Sequence, residues 1–102
     1  KFDRAIARIA NSKNAHAIIK KLRMITNRIS SHRMYRRLSS TDPSNQALFS
    51  SEAAIEFLLL FGYEYDGNDQ SRLMCPLNPS LYAIQAAKQA FAVYNPHNLS
   101  LS

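Results

Sequence analysis

The sequence has one cysteine, two glycines, no tryptophan and, in its first 37 positions, a single acidic residue. Cys75 alone excludes an internal disulfide framework and fits a reducing compartment. With only Gly62 and Gly67 there is no glycine-rich loop to wrap a phosphate. No apolar run approaches the roughly 20 residues of a membrane span. The longest, from Ile55 to Phe61, is interrupted by Glu56. His16, His32 and His97 stand apart, and none pairs with another His, a Cys or an acid at ligand spacing, so neither a metal nor a cofactor is expected. Cys75 lies between Met74 and Pro76 with no neighbouring base and reads as a core residue rather than a nucleophile. Glu64, Asp66 and Asp69 flank one turn, which explains them without calcium. Catalysis is not expected within these residues, and any catalytic domain would lie outside them.

What is present is positive charge at one end. Eleven of the thirteen Lys and Arg residues lie in positions 1–37, opposed only by Asp3, which gives that segment +10. Positions 38–102 hold Arg72 and Lys88 against six acids and carry −4. Such asymmetry points to a polyanionic or acidic partner met by one face. The length of 102 residues and the 46% hydrophobic content fit one domain with a real core. The chain opens on Lys1 rather than Met and is expected to be a piece of a longer protein. Asn98-Leu99-Ser100 matches the glycosylation sequon and reads as chance.

Hydrophobic spacing predicts helices over 2–10, 15–29 and 52–61. The 15–29 helix carries its apolar stripe on Ala15, Ile18, Leu22, Ile25 and Ile29, and a polar ridge on Lys20, Arg23 and Asn27. The segment 11–14 reads as a turn with Asn14 as a cap, 33–38 as a further helical turn or two, 39–45 as a loop, and 46–49 as extended. Ser50 or Ser51 is expected to cap the 52–61 helix, which is apolar on nearly all sides and should be buried, and Gly62 to end it. A hairpin follows, with strands over 63–65 and 72–75 around a 66–69 turn. Asn78-Pro79 is read as the start of a last helix, with Ala83, Ile84, Ala87, Phe91 and Tyr94 as its stripe and Asn95-Pro96 as its stop. The expected fold is α+β: four to five helices and a small antiparallel sheet of two to three strands, as one domain over 1–96 with a flexible tail over 97–102.

Two functional readings fit the basic half. In one, its charges neutralise nucleic-acid phosphates and Tyr35 stacks on a base. In the other, guanidinium groups grip the carboxylates of an acidic peptide, Asn27 orders its backbone, and an apolar pocket takes a side chain. Charge alone does not separate them.

Three stretches in order bear on the choice. The first runs from an amphipathic helix with Asn27 into Tyr35-Arg36-Arg37-Leu38. The second is Ala54-Ile55-Glu56-Phe57-Leu58, leading into Phe61-Gly62-Tyr63-Glu64. The third is the segment from Leu73 to Leu77, followed by a helix. Over roughly 14–94 this resembles the PUB (PUG) domain, found in peptide:N-glycanase, in some UBX proteins and in a linear-ubiquitin ligase. The resemblance implies a non-catalytic module that binds the acidic C-terminal tail of valosin-containing protein, a hexameric AAA ATPase. It would thereby link its parent protein to ubiquitin-dependent quality control, including degradation at the endoplasmic reticulum, in the cytoplasm or nucleus. By the same resemblance the groove residues are Asn27, Tyr35 and Arg36, with Leu38 as packing. Asn45, in preference to Asp42, matches a second asparagine of the family. Arg23 joins them as a basic neighbour on the helix. The domain is expected to be a monomer, to need no cofactor, and to bind no membrane. The alternative is nucleic-acid binding by the 1–37 face.

Overall fold

The computed structural model describes the backbone of residues 1–76 and 78–100 and the side chains of 1–76 and 78–93. Among these residues, five helices and one three-stranded antiparallel sheet form an α+β domain. The helices are α1 (Phe2–Ala10), α2 (Ala15–Arg28), α3 (Gln46–Phe49), α4 (Glu52–Phe61) and α5 (Leu81–Ser100). The strands are β1 (Arg37–Ser39), β2 (Glu64–Asp66) and β3 (Asp69–Met74), in the order β1-β3-β2. Short 3₁₀ turns at Arg33–Arg36 and Pro43–Asn45 lead into β1 and α3.

Helix α4 lies at the centre because its inward face has no polar atom to satisfy. Ala53, Ala54, Phe57, Leu58 and Phe61 are all buried. The Phe57 ring meets Phe2 of α1 at 5.0 Å, Phe61 at 6.0 Å and Phe91 of α5 at 5.3 Å between centroids. These tilted and stacked pairs add to the area that they bury. Burial is not all-round: Leu59 and Leu60 are exposed, so the expectation of an enclosed helix is corrected on that side. Helix α1 adds Ala5, Ile6 and Ile9 to the core, all fully buried. It is also tied at the surface, where Arg8 donates to the Glu56 carboxylate of α4.

The ends of α4 follow local rules. Ser51 Oγ accepts the Ala54 N–H at 3.2 Å, while Ser50 Oγ donates instead to the Ala47 carbonyl. Gly62 closes the helix at φ +126°, a conformation that disfavours any side chain. Ser51→Ala should therefore cost about 1 kcal/mol in urea denaturation, with Ser50→Ala smaller.

Several local expectations change. Asn14 precedes α2 but makes no side-chain cap bond. Residues 46–49 form a helical turn, not an extended segment, because Gln, Ala and Leu are good helix formers and the Ser50 N–H closes onto the Gln46 carbonyl. Arg37–Ser39 is a strand rather than helix or loop, drawn out by pairing with β3. The last helix begins at Leu81: Ser80 Oγ accepts the Ala83 N–H at 3.0 Å, so the cap is Ser80 and not Asn78. It runs on through Asn95-Pro96 to Ser100, overlapping most of the expected tail. Leu77, Leu101 and Ser102 lie outside the described residues, as does the side chain of Tyr94. No helix among the described residues is long and apolar enough to cross a membrane.

Candidate functional site

Helix α2 buries Ile18, Ile19, Leu22, Ile25 and Thr26 and turns its other half outward. A 3.6-residue period then puts His16, Lys20, Arg23 and Asn27 on one outer ridge, with Ala17, Lys21, Met24 and Arg28 on the next. Asn27 is exposed and Arg23 half-buried. The sequence therefore delivers a cationic surface that also carries the neutral side chains of His16 and Asn27.

Tyr35 is brought to this surface by the 3₁₀ turn that follows the α2 C-terminus. Its phenol donates to Met24 Sδ at 3.4 Å, and its ring lies 6.0 Å from Lys21 Nζ and 6.2 Å from the His32 ring. A thioether is a weak acceptor, so the phenol keeps most of its capacity for a better partner. Behind it, the Tyr63 hydroxyl donates to the Tyr35 carbonyl. Burial pushes the Tyr63 hydroxyl far above the ordinary tyrosine range, with a smaller contribution from Cys75, so it stays a donor.

An open trough of about 690 Å³ runs between the start of α2 and the β1–α3 connection. Asn14 and Ala17 form one wall, while Ser40, Pro43, Ala47 and Phe49 contribute to the other. Lys21 links the Tyr35 ring to the β1–α3 connection, since its Nζ also reaches Ser44 Oγ at 3.4 Å. Asp42 is the acid closest to this surface in sequence, and it is engaged locally. Its carboxylate accepts the Ser44 N–H and hydroxyl, each at 2.9 Å. Those two bonds hold its carboxyl below the usual range, with Lys21 a lesser cause. The arrangement offers cations, a phenol, an amide and a partly apolar trough.

The candidate residues divide. Asn27 and Arg23 lie on one outer ridge of α2, and Tyr35 packs on Met24 and Lys21 of the next. Asn45 does not: it is 4% exposed, its Nδ2 donates to the Ser39 carbonyl at 3.1 Å, and its Oδ1 is buried without a hydrogen-bond partner. It shapes the β1–α3 connection rather than facing outward, which corrects its expected place at a ligand. Arg36 is also redirected. Its Nε donates to the Cys75 carbonyl at 3.0 Å and its Nη2 to the Pro76 carbonyl, pinning the end of β3 to the turn. Leu38 is buried, as packing requires.

Lys21, Met24 and Ser44 are functional candidates that the sequence reading did not single out. Lys21 and Met24 had a signal, since both lie on the outward side of α2. Ser44 had none, because its place depends on how the loop folds back. Cys75 is buried, and burial pushes its thiol up, away from nucleophilic character. Among the described residues no three His, Cys, Asp or Glu side chains converge on a metal position. No protein-family model matches the chain, and no curated protein matches it either.

Proposed function

We propose that this domain is a non-catalytic peptide-binding module of the PUB type, which takes the acidic C-terminal tail of the AAA ATPase valosin-containing protein and so couples its parent protein to ubiquitin-dependent quality control. The observation that supports the reading is an exposed Asn27 on the cationic outer half of α2, with Tyr35 packed on Lys21 and Met24 of the same helix. The tail's carboxylates meet Lys20, Lys21, Arg23 and Arg28, which mainly speed encounter at a solvent-exposed rim. Tyr35 exchanges its weak thioether contact for a tail oxygen, and Asn27 bonds the tail backbone. One tail side chain enters the trough, worth about 1.5–3 kcal/mol when fully buried. Ordering a flexible tail offsets much of this, so the affinity should be on the order of micromolar.

Titration calorimetry with a synthetic peptide of the ATPase tail tests the reading. Asn27→Ala should weaken binding by about 0.5–1.5 kcal/mol, and Tyr35→Ala by more, because the ring is lost with the hydroxyl. Both should keep the wild-type circular dichroism, since Asn27 is exposed and Tyr35 only half-buried. Wild-type affinity in both variants, or no peptide binding at all, would sink it. A single-stranded oligonucleotide that binds at physiological salt where the peptide does not would favour the nucleic-acid alternative. If neither binds, a purely structural role stands.

A further inference from the structure

The Arg33–Arg36 turn has a second side. A 3₁₀ helix has three residues per turn, so Arg33 and Arg36 stack on one side while Tyr35 points elsewhere. Arg33, Met34, Arg36 and Arg37 border a depression of about 340 Å³, completed by Met74, Cys75 and Pro76. Among the described residues no acidic side chain lines it, although Glu64, across the sheet from Met74, is near enough to raise the Cys75 thiol. Met34 is 72% exposed, although it is a large apolar side chain with nothing to cover it among the described residues. Arg33 and Arg37 are exposed, whereas Arg36 is committed to the Cys75 and Pro76 carbonyls and acts as a wall.

The backbone beside this depression adds to it. The Cys75 N–H donates to the Arg36 carbonyl at 2.7 Å and the Ser40 N–H to the Ser71 carbonyl at 2.8 Å. Residues 36, 38 and 40 therefore bond towards β3, and antiparallel alternation turns the N–H and C=O of Arg37 away from it, at an outer strand of the sheet. An extended chain meets a donor and an acceptor there, flanked by guanidinium groups.

Charge and composition select the occupant. Arg33 and Arg37, exposed and without an acidic partner among the described residues, call for an anionic partner, and two methionines form an adaptable contact for one apolar side chain. A nucleic-acid strand fits less well. Among the described residues no aromatic ring lines the depression for a base to stack on. The neighbouring hollow on the sheet, lined by Arg37, Arg72 and Met74, also contains Asp66. A continuous phosphate backbone would meet that carboxylate, while a short peptide would not need to.

We propose that this depression is a second binding site, for a short acidic peptide segment carrying one apolar side chain. It lies on a different side of the 3₁₀ turn from Tyr35 and does not depend on the function proposed for the Tyr35 surface.

The test is nuclear magnetic resonance on the whole chain, labelled at amides and methionine methyls. The probe is a capped pentapeptide of aspartates with a central leucine. Saturable shifts should appear at the amides of 33–37, Met74 and Cys75 and at the methyls of Met34 and Met74. They should persist in the Asn27→Ala/Tyr35→Ala double variant, which disables the other surface. Arg33→Glu with Arg37→Glu should weaken this binding at least about tenfold, because both charges are reversed at the site. Both side chains are exposed, so the fold should be kept, and the dispersed spectrum reports on that directly. Met34→Ser should weaken it severalfold with the charges intact. Absence of shifts in these segments, shifts confined to the Tyr35 surface, or equal affinity in the charge-reversed variant would each overturn the proposal. So would an oligonucleotide that moves these resonances when the pentapeptide does not.

Discussion

Phe57→Ala should remove about 3–5 kcal/mol of folding stability, the range for deleting a large ring from a packed core. Phe57 is fully buried, and its ring touches rings from α1, α4 and α5. Truncation leaves a cavity bounded by three helices, each fixed by other contacts, so the surroundings collapse poorly. A domain of this size holds only about 5–15 kcal/mol in total, so the variant should unfold at a much lower urea concentration, or be unfolded without urea. Leu59→Ala, on the exposed side of the same helix, is the control and should shift the midpoint little. Similar losses at the two positions would mean that α4 does not sit as described.

The second large effect concerns Arg36. Its guanidinium bonds two carbonyls at the end of β3, and charge-assisted bonds of this kind contribute about 1.5–3 kcal/mol. Arg36→Ala should therefore destabilise the domain by an amount in that range, where a ligand-facing arginine on the surface would give almost nothing. Arg36→Lys should recover little, because an ammonium cannot reproduce the planar fork that reaches both carbonyls. Tail binding should also weaken in both variants, but through the loosened turn that carries Tyr35. The two effects separate in a comparison with Asn27→Ala, which should lower affinity at unchanged stability. Wild-type stability with lost binding in Arg36→Ala would return Arg36 to the groove.

Arg36 shows what sequence could and could not supply. Its neighbourhood to Tyr35 and its charge are legible in the chain, and the family resemblance placed it at a ligand. Its partners are carbonyls 39 and 40 positions away, which no local pattern announces. Asn45 is the same case: an asparagine in a polar loop reads as exposed, and only the folding back of that loop buries it. Helices α1, α2 and α4 were legible because each carries its apolar stripe within itself. The hairpin was legible from Asp66-Gly67-Asn68-Asp69, although β3 begins at Asp69, earlier than its apolar residues indicate. Strand β1 was not, since three residues have no period and their extension comes from pairing across Leu38 and Leu73. For the candidate site, the outward position of Asn27 on α2 was legible from the helical period, and the trough between α2 and the β1–α3 connection was not.

Helix α1 bears on where this module can be cut. The motif resemblance starts near residue 14, and a clone designed from motifs alone would begin there. The fold sets a different limit. Ala5, Ile6 and Ile9 are fully buried, and the Phe2 ring packs on Phe57 and Phe61. A chain starting at Asn14 would expose the face of α4 that they cover and would lose the partner of Glu56. Such a truncation should be prone to aggregate, and a failure to bind in that form would say nothing about the groove. The smallest autonomous unit is set by which atoms water must not reach, and here it reaches at least twelve residues upstream of the motifs.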